Sequence, residues 1–280
     1  MSTQTDKTGG LTTREIVGGI LALVGTVLGG VSLKLFLSGY QPLLQGNAAK
    51  QNMAGVKMLT GLYPAINDIA MLSGVIFLIA ALAYFTKKNY AWFLSIFAAT
   101  TGLLASWMAF VWPLMIQQPI TYVFVFMSLL IIWLVLVLYV RPTNGKIVSF
   151  ALVGGIAFVL NFMNGTAALN KLIGIKAPIF FGTQQLNWFA AIGFGIFTIA
   201  LLYRKPWAVP LGMGAGILSL IAGIPLSYLD TVNTGETSMF WIAVIASGLL
   251  VLALLFYGNR LLEESPKIVN KQNKGFPTVS

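Results

Sequence analysis

Long runs of apolar residues, interrupted at intervals by short polar clusters, dominate the chain. Eight runs are near or above the roughly 18 residues needed to cross about 30 Å of hydrocarbon as a helix. They fall at 16–37, 68–85, 90–112, 121–140, 147–169, 186–203, 207–229 and 239–257. The pattern predicts an all-α integral membrane protein of about eight transmembrane helices. The first run follows a polar stretch ending at Arg14 and shows no small-residue cleavage site, so it is expected to be a retained helix and not a removed signal peptide.

The connections alternate in character. Lys87-Lys88, the stretch 141–146 and Arg204-Lys205 are short and basic, whereas 38–67, 113–120, 170–185 and 230–238 are longer or less basic. Lys7, Arg14, Arg260, Lys267, Lys271 and Lys274 in the tails join the basic set, leaving Lys50, Lys57, Lys171 and Lys176 opposite, with Lys34 at a predicted helix end. Lys and Arg accumulate on the cytoplasmic side of membrane proteins. A multi-pass protein of the cell membrane with both termini cytoplasmic is therefore expected.

The pattern also repeats. Val17-Gly18-Gly19-Ile20 returns as Val153-Gly154-Gly155-Ile156, and the same register places Gly29 on Gly165. Ala81-Leu82-Ala83-Tyr84 resembles Ala200-Leu201-Leu202-Tyr203, Pro113-Leu114 resembles Pro225-Leu226, and Tyr139 and Arg141 precede Tyr257 and Arg260 in kind. These echoes occur in one order and predict a parallel 4+4 tandem duplication. Each half has an even number of crossings, so an axis along the membrane normal is expected. The divisions are a tail at 1–14, halves at 15–141 and 142–259, and a tail at 260–280. The halves differ most in 38–67, where Ala49, Met53, Val56 and Tyr63 are spaced as on a helix face. An interfacial helix and an ordered loop both fit that stretch.

Composition agrees with the membrane assignment, with 58% hydrophobic and only 9% charged residues. The net charge of +10 lies in loops and tails without aromatic interleaving, which argues for lipid and against nucleic acid as the partner. Cysteine and histidine are both absent. Thiolate and imidazole chemistry, disulfides and the common zinc, copper and His-ligated haem sites are thereby excluded, and no cofactor is expected. No nucleotide-binding loop or paired-carboxylate motif stands out, so no catalytic residue is assigned.

The remaining candidates are polar groups within or beside the apolar runs. Asn161 and Asn164 lie one turn apart, where an amide in hydrocarbon either bridges helices or faces a polar cavity. Asn164-Gly165-Thr166 matches the glycosylation pattern but is read as chance at the membrane boundary. Lys34, Asp68 and Asp230 are the charges nearest hydrocarbon. Asp68 is expected either to cap the start of its helix or to pair with Lys34. Trp107, Trp112, Trp188 and Tyr228 fit an interfacial belt. Gly25 with Gly29 and Gly212 with Gly216 form G-x-x-x-G pairs, suited to internal helix packing or to a partner's helix. Pro113 and Pro225 either end their helices or interrupt them at a substrate site.

Two functions fit. One is a non-catalytic scaffold or accessory subunit packing with membrane partners or lipid. The alternative is a small-molecule transporter or carrier with an outward-facing site between the halves, formed near Lys34, Asp68, Trp107, Asn161, Asn164 and Asp230.

Overall fold

The structure, a computed structural model, describes residues 10–263; Lys7, Lys267, Lys271, Lys274 and most of both predicted tails lie outside the described residues. The described chain is all-α. Its helices are α1 (Thr13–Ala49), α2 (Met53–Phe85), α3 (Ala91–Met115), α4 (Val123–Val135), α5 (Gly145–Ile175), α6 (Ile179–Leu202), α7 (Ala208–Thr234) and α8 (Trp241–Glu263). With a π-helical turn at Leu136–Val140 continuing α4, all eight are long and apolar enough to cross a membrane. Two compact units divide the chain. The first runs to Thr143 and includes Ile173–Ile175, and the second holds the rest from Asn144.

Six helices, α1, α2, α5, α6, α7 and α8, overrun a predicted end by five residues or more. At about 1.5 Å per residue, the 37 residues of α1 span about 55 Å and the 33 of α2 about 50 Å, well beyond the hydrocarbon thickness. The stretch 38–67 is therefore neither a loop nor a separate interfacial helix. It is the continuation of α1, a short break at Lys50–Asn52, and the first four turns of α2. Likewise α5 runs to Ile175 and α6 starts at Ile179, so most of 170–185 is helical.

Local chemistry explains the ends. Thr12 and Glu15 form a capping box at the start of α1, with the Thr12 backbone N–H donating to the Glu15 carboxylate over 2.7 Å. Asn52 caps α2 by accepting from the Gly55 N–H over 2.9 Å, and donates to Asn47 Oδ1 over 3.1 Å. Pro42 and Pro64 sit inside α1 and α2, where packing outweighs their lost donors. At the π-helical turn, the Leu136 carbonyl accepts both the Arg141 N–H and the Trp92 indole N–H, at 3.1 and 2.9 Å. The buried indole thus tethers α3 to the widened turn.

Within the first unit α1 and α2 form an antiparallel pair. Gly18 faces the Tyr84 ring, Gly25 the Phe77 ring, Gly29 the Gly74 backbone, and Asn47 faces Gly55, stepping evenly in opposite directions. A Cβ on Gly29 would lie 2.8 Å from Gly74 Cα, so glycine alone permits this approach. In the second unit Gly212 packs against Phe197 and Leu254, and Gly216 against Val251. Both G-x-x-x-G pairs are thus used inside their own units.

The turns after α2 and α6 share one backbone design. Lys87 and Arg204 are left-handed, at φ 54° and 53°. Lys88 N–H donates to the Ala83 carbonyl as Lys205 N–H does to that of Ala200, and Ala91 donates to Lys88 as Ala208 does to Lys205. This correspondence places Tyr84 on Leu201, two residues from the Tyr203 that the sequence echo pairs with it. Pro113 lies two residues from the end of α3, whereas Pro225 lies well inside α7, which continues to Thr234. Pro225 therefore does not end its helix.

Candidate functional site

The second unit contains the more concentrated polar interior. Asn161 and Asn164 lie on one face of α5 and are wholly buried. Asn161 Nδ2 donates to its own helix at the Ala157 carbonyl, 2.8 Å away, and to Ser247 Oγ on α8 at 3.2 Å. Ser219 on α7 donates to the same Ser247 hydroxyl at 2.8 Å. A short polar thread thereby joins α5, α8 and α7. Asn164 Nδ2 donates to the Phe240 carbonyl at 3.3 Å, the level at which α8 begins. Its burial inside a helix agrees with treating the glycosylation pattern as chance.

These groups are only half satisfied. Asn161 Oδ1 and Asn164 Oδ1 are buried with no hydrogen-bond partner, as are Ser227 Oγ on α7, and Asn187 Oδ1 and Trp188 Nε1 on α6. The Trp188 ring stacks on Phe162 with centroids 5.7 Å apart and covers Gly165. An orphaned acceptor in a dry interior costs about 1–3 kcal/mol, so the oxygens favour any donor small enough to reach them. The arrangement contains no charged side chain and offers unpaired acceptors at the amide oxygens beside an unpaired donor at Trp188 Nε1.

Asp230 lies in α7, four residues before its end, and pairs with Lys171 of α5 at 2.6 Å. Both side chains are largely shielded, at 15% and 21% exposure. The ammonium neutralises a carboxylate near the C-terminal end of α7, where the helix dipole disfavours negative charge. Asp68 is the sixteenth residue of α2 and caps nothing, since Asn52 does so. Lys34 is likewise interior to α1, and the regular step of the α1–α2 pair sets it level with Asp68. Both are exposed, and among the described residues they form no ion pair.

Trp107 belongs to an aromatic group with Phe110 and Phe126, at 4.8 and 5.4 Å, and its buried Nε1 has no partner. A second aromatic group joins Phe36 and Tyr40 of α1, Tyr63 of α2 and Trp112 of α3, with neighbouring centroids 5.2–6.0 Å apart. Tyr122, just before α4, donates to the Ser32 carbonyl of α1 at 2.8 Å. Trp112 is buried while Tyr228 is 61% exposed, so only the latter is placed as a belt residue would be. The lipid-facing surface is plainly apolar, with Val27, Leu37, Phe124, Leu249 and Phe256 all more than 60% exposed.

Of the predicted site residues, the structure brings Asn161 and Asn164 into one polar interior and pairs Asp230 with Lys171. Lys34, Asp68 and Trp107 belong to the other unit. Sequence reasoning did not single out Ser219, Ser247, Asn187 or Tyr122. A lone serine in an apolar run carries no signal until its partner helix is known.

Fold and interior together define an all-α, multi-pass membrane protein with an uncharged polar core in its second unit. No protein-family model, curated protein or solved structure matches the chain.

Proposed function

We propose that the protein is a non-catalytic membrane scaffold or accessory subunit that packs against membrane partners or lipid, with both termini in the cytoplasm. The observation that carries this reading is the chemistry of the interior. Among the described residues no Asp, Glu, Lys or Arg is buried, and the buried polar groups are the hydroxyls and amides of Ser, Thr, Asn and Gln with the phenols and indoles of Tyr and Trp. Proton- or cation-coupled carriers and pumps place charged groups, carboxylates above all, inside the bundle. The absence of Cys and His from the sequence supports the same reading. The basic character of the turns at 86–90, 141–144 and 203–207 supports the orientation, and the shared backbone design of the first and last of these supports descent from a tandem duplication.

The test is mild-detergent extraction followed by native mass spectrometry. A second polypeptide or a retained lipid at fixed stoichiometry is the expected result. A chain that emerges with neither overturns the scaffold reading.

One observation favours a second reading, a carrier of a small uncharged molecule. The unpartnered Asn161 and Asn164 oxygens would accept from a hydroxyl or amide donor. A polar small molecule retained by the native chain and lost in Asn161→Leu supports the carrier; retention by that variant sinks it.

A further inference from the structure

Where α5 begins and α8 ends, Lys146, Phe150, Ala253, Tyr257, Arg260 and Leu261 line an open groove of about 410 Å³. Its composition follows from helix periodicity. Phe150 stands one turn beyond Lys146 on α5, while Ala253, Tyr257, Arg260 and Leu261 form a single stripe on α8. The floor is apolar, and Ala253 is small enough to leave room beside Phe150. Two exposed cations and the half-exposed Tyr257, whose phenol can donate, complete it. A purely apolar groove would accept any acyl chain, and a purely basic one any anion. This one couples the two, as an amphiphile with a negative head requires.

We propose that this groove binds one anionic phospholipid, with the phosphate between Lys146 and Arg260 and an acyl chain along Phe150, Ala253 and Leu261. The basic turns place it, in the proposed orientation, at the cytoplasmic leaflet, where anionic lipid is enriched. The inference rests on the lipid arm of the scaffold reading and names the lipid's charge class. Its test is separate, because it reads charge selectivity at one groove, whereas the scaffold reading fails when no stoichiometric partner of any kind is retained.

The full-length chain in neutral detergent is titrated with short-chain phosphatidylglycerol and, in parallel, phosphatidylcholine and inorganic phosphate, with occupancy read by native mass spectrometry. One phosphatidylglycerol per chain is expected, with phosphatidylcholine at least about tenfold weaker and phosphate unable to displace it. Each basic residue near an anionic lipid contributes enough that losing two weakens binding by about thirtyfold. Lys146→Gln with Arg260→Gln should show that loss, whereas the control Arg204→Gln with Lys205→Gln should change affinity less than about threefold. The charge-conserving pair Lys146→Arg with Arg260→Lys keeps binding and guards against misfolding of the neutral variant. Equal binding of phosphatidylcholine, equal loss in the control pair, or full competition by phosphate each overturns the proposal, the last by reducing the groove to an ion site.

Discussion

Replacing Gly29 by alanine tests the central packing claim for the first unit. The added methyl would meet the Gly74 Cα at 2.8 Å and the Gly74 N at 3.3 Å, both backbone atoms that cannot rotate away. Restoring ordinary contact, about 3.5–4.0 Å between carbons, requires α1 and α2 to separate locally by about 1 Å. That separation is transmitted along a contact running from Gly18–Tyr84 to Asn47–Gly55. Overpacking of this kind costs about 1–3 kcal/mol, against which alanine recovers up to about 1 kcal/mol of helix propensity. The net expectation is a loss of about 1–2 kcal/mol, or roughly 2–8 °C in the unfolding midpoint for a unit of this size. Gly30 supplies the control, since it is exposed and a methyl added there would meet nothing within 4 Å. Gly30→Ala should be neutral or slightly stabilising. Thermal unfolding in one detergent, followed by tryptophan fluorescence, measures both. Equal midpoints for the two variants would refute close approach at Gly29, and a Gly29→Ala/Gly74→Ala double variant losing no more than either single would do the same.

Single cysteines introduced in this cysteine-free chain at Lys87, Lys146 and Lys205 should resist an impermeant thiol reagent on intact cells, while those at Lys57 and Lys176 react; the opposite pattern reverses the orientation. For the ion pair, a double-mutant cycle on Lys171→Met and Asp230→Asn should return a coupling of about 0.5–1 kcal/mol that shrinks with salt. The same cycle on Lys34→Met and Asp68→Asn should return none, and a coupling there would contradict the observed geometry. Asn161→Leu loses one interhelical bond to Ser247 but also removes an orphaned oxygen, so destabilisation of no more than about 1–2 kcal/mol is expected, with Ser247→Ala subadditive to it. A cost above about 4 kcal/mol would show that Asn161 anchors far more than this bond.

The membrane class, the number of crossings and the basic turns were legible in the sequence because each depends on local properties. About 18 apolar residues span hydrocarbon whatever their neighbours, and a Lys-Lys or Arg-Lys pair ends a span wherever it falls. The candidate Asn161–Asn164 face was legible for a similar reason, since amides are conspicuous in an apolar run. The helix ends were not. Pro42, Gly46, Gly55, Gly61 and Pro64 are poor helix formers, yet α1 and α2 continue through them because facing turns bury Leu43, Leu59 and Tyr63 almost completely. Burial against a partner helix outweighs local propensity, and no window along one helix reports on its partner. The same limit explains the charges. The sequence left Asp68 either to cap its helix or to pair with Lys34, whereas in the tertiary structure Asn52 is the cap and the ion pair joins Lys171 to Asp230, 59 positions apart. By itself the sequence determined that this chain must dissolve in lipid. Which small residues let helices touch, which serine answers Asn161, and which charges neutralise each other were decided only by tertiary structure, because those energies belong to pairs of helices and not to either one.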